Sequence, residues 1–84
     1  MSPEEIRAIL IETLGSIAPE ADLSRLDPKA DLREELDIDS LDFLNAVIGL
    51  HERLKVDIPE RDYRKLSTLS GAIEYLLEKT TPKP

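Results

Sequence analysis

Between Leu41 and Leu54 the chain sets Leu41, Phe43, Leu44, Ala46, Val47, Ile48, Leu50 and Leu54 over more than half of a helical circumference, leaving Asp42, Asn45, Gly49, Glu52 and Arg53 as a polar stripe. A helix this broadly apolar is central and touches several neighbours. The pattern predicts it from about Ser40 to Leu54. Asp39 is its expected cap, Asp42 is placed to reach back in the manner of a capping box, and both carboxylates suit the positive end of the helix dipole. Upstream, Ile6, Ile9, Leu10, Thr13, Leu14 and Ile17 recur at helical spacing. They predict a first helix that opens near Pro3 behind a Ser2–Glu5 capping box and ends near Ser16, where Gly15 and then Pro19 break the pattern. Downstream, Leu69, Ala72, Ile73, Leu76 and Leu77 keep the i, i+3, i+4, i+7, i+8 spacing of a last helix, capped by Ser67 or Thr68 and running to about Lys79.

Between the first two of these helices, Ala18 to Ile38 is longer than connections in compact domains usually are, so it needs anchoring. Leu23, Leu26, Leu32 and Leu36 are too irregularly spaced for one clear amphipathic element and read as single apolar anchors, with room for a helical turn over Leu32 to Leu36. Pro59 biases Ile58 out of helix. Pro59 to Lys65 then reads as one or two helical turns that aim Tyr63 and Leu66 at the core. No run alternates as a strand does, and no segment repeats. The expected fold is all-α, with three main helices, one short helix and a long loop between the first two main helices. Residues 1–79 are expected to form a single domain and 80–84 a flexible tail.

At 84 residues, one domain with a small core is the upper bound. With no cysteine, disulfides, thiolate metal sites and cysteine nucleophiles are all excluded, so any thiol chemistry must be imported. No apolar run is long enough to span a bilayer, and Met1 to Glu5 is acidic where a signal peptide would be basic, so a cytoplasmic protein is expected. A formal net charge of -7 argues against nucleic acid and anionic membranes and is compatible with basic protein partners, although solubility alone would also explain it.

Ser40 falls at the first position of the central helix, where a side chain points outward with little beside it. A serine nucleophile needs an adjacent base, and the one histidine, His51, lies eleven residues later on the same helix, roughly 16 Å along its axis. His51 therefore reads as a rim or surface residue. Asp37, Asp39 and Asp42 do not make a calcium loop, since Leu41, Asp42 and Ile48 fall where an EF-hand needs an oxygen, a glycine and a glutamate. Nothing indicates a substrate cleft for a paired-carboxylate hydrolase. The residues thus nominate neither a catalytic group nor a metal site, and on local sequence alone Asp-Ser-Leu-Asp is an ordinary helix cap.

Asp39-Ser40-Leu41, Asp57-Ile58-Pro59 and Ser67-Thr68-Leu69 followed by Ala72-Ile73-Glu74-Tyr75-Leu76 together resemble the acyl carrier protein family over nearly the whole chain. The resemblance implies a four-helix carrier bundle acting as a monomer. It also implies a 4′-phosphopantetheine arm on the Ser40 oxygen, transferred from coenzyme A by a phosphopantetheinyl transferase that supplies the base and magnesium. The carrier is then no enzyme. It holds acyl groups as thioesters for fatty-acid, lipid or polyketide-type biosynthesis and docks on acyl-loading and acyl-processing enzymes with basic patches. Asp39, Leu41, Asp42, Ile48 and Glu52 are the expected partner-binding residues.

Departures from the family pattern point to a specialised member. Asp37-Ile38 replaces a glycine common before the motif, Asn45 and His51 stand where general carriers tend to place glutamates, and Arg61 and Arg64 interrupt the acidity of the short helix. Phe43 and Tyr63 stand where many relatives have smaller residues, and either shrink a cargo cavity or fill the core. Two other readings stay open: an aminoacyl or peptidyl carrier, and a helical interaction module with an acidic surface that has no need of Ser40.

Overall fold

The computed structural model describes residues 1–80, and the helices form where the apolar periodicity and the caps coincide. Helix α1 spans Pro3–Ile17, α2 Leu32–Leu36, α3 Ser40–Leu54 and α4 Leu69–Thr80, with 3₁₀ turns at Leu23–Arg25 and Glu60–Leu66. The α1 capping box is complete: Ser2 Oγ accepts from the Glu5 amide at 3.2 Å and Glu5 Oε1 accepts from the Ser2 amide at 3.0 Å. Those bonds hold the Glu5 carboxyl below its ordinary range. Helix α1 runs one residue beyond the expected Ser16 and closes with the Ala18 amide on the Leu14 carbonyl.

Helix α1 packs on both α3 and α4. Ile6, Leu10 and Leu14 meet Ala46, Val47 and Leu50 of α3 and Leu69, Ala72, Tyr75 and Leu76 of α4 in a single core, and each fully buried side chain of this size contributes about 1.5–3 kcal/mol. A Cβ at Gly49 would stand 3.1 Å from Thr13 Cγ2, so α1 and α3 approach closely there. Beside that contact, buried Thr13 donates to the Ile9 carbonyl at 2.8 Å and accepts from Arg53 Nη1 at 2.7 Å. Part of the polar stripe of α3 therefore ties helices together.

In the long connection the turn expected to have room over Leu32 to Leu36 forms as a short helix, and Leu23–Arg25 adds a 3₁₀ turn among the anchors. Leu32 and Leu36 are four apart and both buried, on one face of a five-residue helix. Asp31 starts it, its carboxylate accepting from the amides of Arg33 and Glu34 at 2.9 and 3.2 Å. Asp37 ends it in the left-handed region, with φ 52° and ψ 48°. Asp tolerates this conformation better than most residues do, so the turn is made without glycine, and Ile38 beyond it is buried. The connection is also stitched to the start of α4. Leu32 N–H donates to the Ser67 carbonyl at 2.7 Å and Ser70 N–H to the Pro28 carbonyl at 3.0 Å, flanking a β-bridge between Asp31 and Thr68.

After Pro59, the 3₁₀ segment buries Leu66 and half-buries Tyr63. Tyr75 of α4 donates to Asp62 Oδ2 at 2.6 Å, while Lys65 and Lys79 each lie 5.6 Å from the centre of the Tyr75 ring. Of the two candidate caps of α4, Thr68 accepts from the Gly71 amide at 3.0 Å, and Ser67 turns back to the Arg64 carbonyl. Helix α4 includes Thr80, whose hydroxyl bonds the Leu76 carbonyl at 2.8 Å, so Thr80 is corrected from tail to helix. The rest of the expected tail, 81–84, lies outside the described residues. Among the described residues no helix is long and apolar enough to cross a membrane.

Candidate functional site

Helix α3 begins at an exposed serine because Asp39 takes the capping duty: its Oδ1 accepts from the Asp42 amide at 2.9 Å with an extended backbone before the helix. Only this half of the expected reciprocal box forms. Freed from capping, Ser40 presents its Oγ to solvent, where it accepts a hydrogen bond from Arg33 Nη2 at 3.0 Å. The hydroxyl proton is therefore not taken up by that contact. His51 lies at the other end of α3, with its Nδ1 2.6 Å from the Val56 carbonyl. A carbonyl only accepts, so Nδ1 carries the proton and the ring closes the helix end. Asp57 lies 3.8 Å from the same nitrogen.

An open groove of about 520 Å³ runs from Ser40 between the start of α3 and the 3₁₀ segment, over Phe43, Leu44 and Tyr63, with Arg33 and Arg64 at its edges. Phe43 and Tyr63 meet edge to face, ring centres 6.0 Å apart and planes at 66°. Beneath Phe43, the apolar interior bounded by Leu10, Leu32, Val47 and Leu66 leaves a void of only about 20 Å³. That is room for about one water-sized group.

The expected partner residues separate into two sets. Leu41 and Ile48 are 66% and 45% exposed and share one ridge of α3, joined by Leu44 at 38%. Glu52, eleven residues from Leu41, lies about 20° from it around the helix. Asp42 is turned about 100° away from Leu41. It is half-buried and lines a different groove with Glu35, Asp37 and the end of α1. Asp42 therefore does not join the ridge, because packing against α1 divides the polar stripe. Asp39 is exposed but occupied as the cap.

The phosphopantetheine attachment-site family matches residues 4–76. An acyl carrier protein of Rubrobacter xylanophilus is 32% identical over 78 residues, which cover 93% of this chain and 90% of the relative. The chain belongs to the acyl carrier protein family. Acyl carrier proteins are carriers rather than catalysts, and they work with phosphopantetheinyl transferases and acyl-processing enzymes. The cofactor is a covalently attached 4′-phosphopantetheine. The residues of this carrier fit such an arm: one exposed hydroxyl at a helix start, a guanidinium beside it and an open groove alongside.

Three features of the site escaped the reading of the sequence. Arg33 precedes Ser40 by seven residues and lies on a different helix, α2 ending at the left-handed Asp37 before α3 begins, so no helical spacing links the two. Leu44 counts in the sequence only as one of the apolar positions of α3, and the spacing does not set it on the exposed ridge with Leu41 and Ile48. Arg64 was noted as an interruption of acidity, and the periodicity carried no sign that it shares a groove with Ser40.

Proposed function

We propose that Ser40 is the attachment residue and that this carrier shuttles small acyl or related groups between biosynthetic enzymes. The carrying observation is an exposed Ser40 Oγ at the first residue of α3, beside an open groove and within the region matched by the attachment-site family. When bound, the arm supplies the terminal thiol that a chain without cysteine lacks, and holds the cargo there as a thioester. Asp39 fixes the backbone turn that leaves Ser40 unshielded. Arg33 donates to Oγ and leaves its proton for the base of the transferase.

The small void under Phe43 supports a short cargo, because a long chain has no interior volume to enter. The same observation favours a second reading, in which the cargo is an aminoacyl group held by the same attachment chemistry. The ridge of Leu41, Leu44 and Ile48 with Glu52 is the proposed docking surface, apolar at its centre and acidic at its end, for a transferase and processing enzymes with basic patches.

The test is intact mass after incubation with coenzyme A and broad-specificity phosphopantetheinyl transferases. The protein should gain the mass of one arm, and Ser40→Ala should gain none while keeping its helical circular dichroism, since Asp39 retains the cap. Loading of the alanine variant would put the attachment elsewhere. Mass spectrometry of the carrier isolated from its native cell separates acyl from aminoacyl cargo.

A further inference from the structure

We propose that Arg33 and Arg64 clamp the phosphodiester at the root of the arm and direct the arm into the Phe43–Tyr63 groove. The inference rests on Ser40 as the attachment residue. Arg33 already places Nη2 3.0 Å from Ser40 Oγ, and Arg64 lines the same groove from the 3₁₀ segment. In a chain with eighteen acidic and eleven basic residues, carboxylate partners are plentiful. Arg25, Arg53 and Lys65 each have one within 4 Å; among the described residues Arg33 and Arg64 form no ion pair, as Arg7, Lys29, Lys55, Arg61 and Lys79 form none, and what sets these two apart is that both line the Ser40 groove. Of the two carboxylates lining the groove, Asp31 is engaged in capping α2, which leaves Glu60.

Attachment changes what Arg33 faces. The serine oxygen becomes a bridging ester oxygen, and two non-bridging oxygens that share one negative charge stand within a bond or two of it. A guanidinium suits those oxygens better than it suits a hydroxyl, because its planar fork can donate two parallel charge-assisted hydrogen bonds. The start of α3, a 15-residue helix, adds the positive end of its dipole at the same place. A root held on the Arg33 and Arg64 side sends the arm over Phe43 and Tyr63, along the groove face of Leu44, and off the outer face of the ridge at Leu41. The clamp thus gives the cargo a resting place on the carrier before a partner draws it off.

The absence of cysteine makes the arm's thiol the sole thiol in the loaded protein, so a maleimide nitroxide can be fixed there alone. In labelled holo-protein, paramagnetic broadening of amide signals should concentrate at Phe43, Leu44 and Tyr63. Arg33→Gln with Arg64→Gln should lower the docked-to-free ratio about fivefold, equivalent to ~1 kcal/mol, the upper end for exposed charge pairs. The ³¹P resonance of the same variant should relax as a freer group. Arg33→Lys keeps the charge without the fork and should fall between, while Arg61→Gln, in the neighbouring groove, should match the wild type.

Broadening as strong along Leu41 as at Tyr63 in the wild type, or an unchanged pattern in the double glutamine variant, would overturn the clamp while leaving attachment intact. A protein that gains no arm mass at Ser40 marks the failure of the attachment reading itself, and the clamp falls with it.

Discussion

Replacing Phe43 by alanine should change how the stability of the loaded carrier depends on cargo length. Full burial of phenylalanine makes its truncation cost about 3–5 kcal/mol, and for half-buried Phe43 a cost of ~2 kcal/mol is expected, including the lost edge contact with Tyr63. At roughly 4–8 °C per kcal/mol for a domain of this size, the unloaded variant should melt ~8–16 °C lower. Truncation joins the groove to the void under Phe43, which at about 20 Å³ is closed to all but the smallest groups in the wild type. Each cargo methylene that then enters should restore up to ~0.8 kcal/mol, or ~3–6 °C, for the first few carbons. Thermal melts of both proteins, loaded with a series of acyl groups from two carbons upward, provide the comparison. The wild type should be nearly flat with length and the variant should climb before levelling. A wild-type melting temperature that rises steadily out to long chains would refute the reasoning, since it would mean that Phe43 and Tyr63 move aside at little cost.

Charge reversal at Glu52, on the docking ridge, should slow loading by the transferase and weaken its salt dependence, whereas Asp42→Lys should matter less because Asp42 faces α1; equal effects in stopped-flow loading assays would contradict that division. Asp37→Gly should raise the free energy of unfolding by ~0.5 kcal/mol through relief of the left-handed backbone, read as a higher denaturant midpoint, and a fall would show that the unfolded-state entropy of glycine outweighs it. Burial and the bond to Asp62 push the Tyr75 hydroxyl up to about 12, so its stabilisation is full below pH 10 and lost as pH climbs from 10 towards 12. The same bond holds the Asp62 carboxyl below its ordinary value, so that contribution is present above about pH 4 and lost on further acidification. Tyr75→Phe should flatten both limbs of a stability–pH profile, and unchanged limbs would assign them to other groups.

Helices α1, α3 and α4 were legible because each repeats apolar residues over three or more turns and begins at a side chain able to cap it. Helix α2 was legible only as room for a turn over Leu32 to Leu36, since five residues hold just those two leucines and the helix stops at an aspartate in the left-handed region. Ser40 stood out by its motif and its outward position. Its surroundings did not, because Arg33 bonds it from another helix and Arg64 shares its groove from the 3₁₀ segment, and no periodicity along one helix encodes that. The polar stripe of α3 shows the same limit from the other side. Spacing grouped Asp42, Arg53 and Glu52, and packing sent Asp42 to the groove by α1, Arg53 to Thr13 and Glu52 to the open ridge.

The stitch between residues 28–32 and 67–70 has a mechanical consequence. The Arg33 and Arg64 sides of the Ser40 groove are far apart along the chain, yet Leu32 N–H on the Ser67 carbonyl and Ser70 N–H on the Pro28 carbonyl join them by backbone. The groove is therefore hemmed along its base, and its width is set by main-chain bonds that no surface substitution removes. An enzyme that pries up the 3₁₀ segment to reach the interior must either drag α2 with it or tear the hem. In the first case Arg33 is carried with the segment, so unveiling the cavity and loosening the hold at Ser40 become a single stroke. In the second, the amides of Leu32 and Ser70 lose their acceptors and exchange with solvent deuterium, and the opening is recorded at the first turns of two helices.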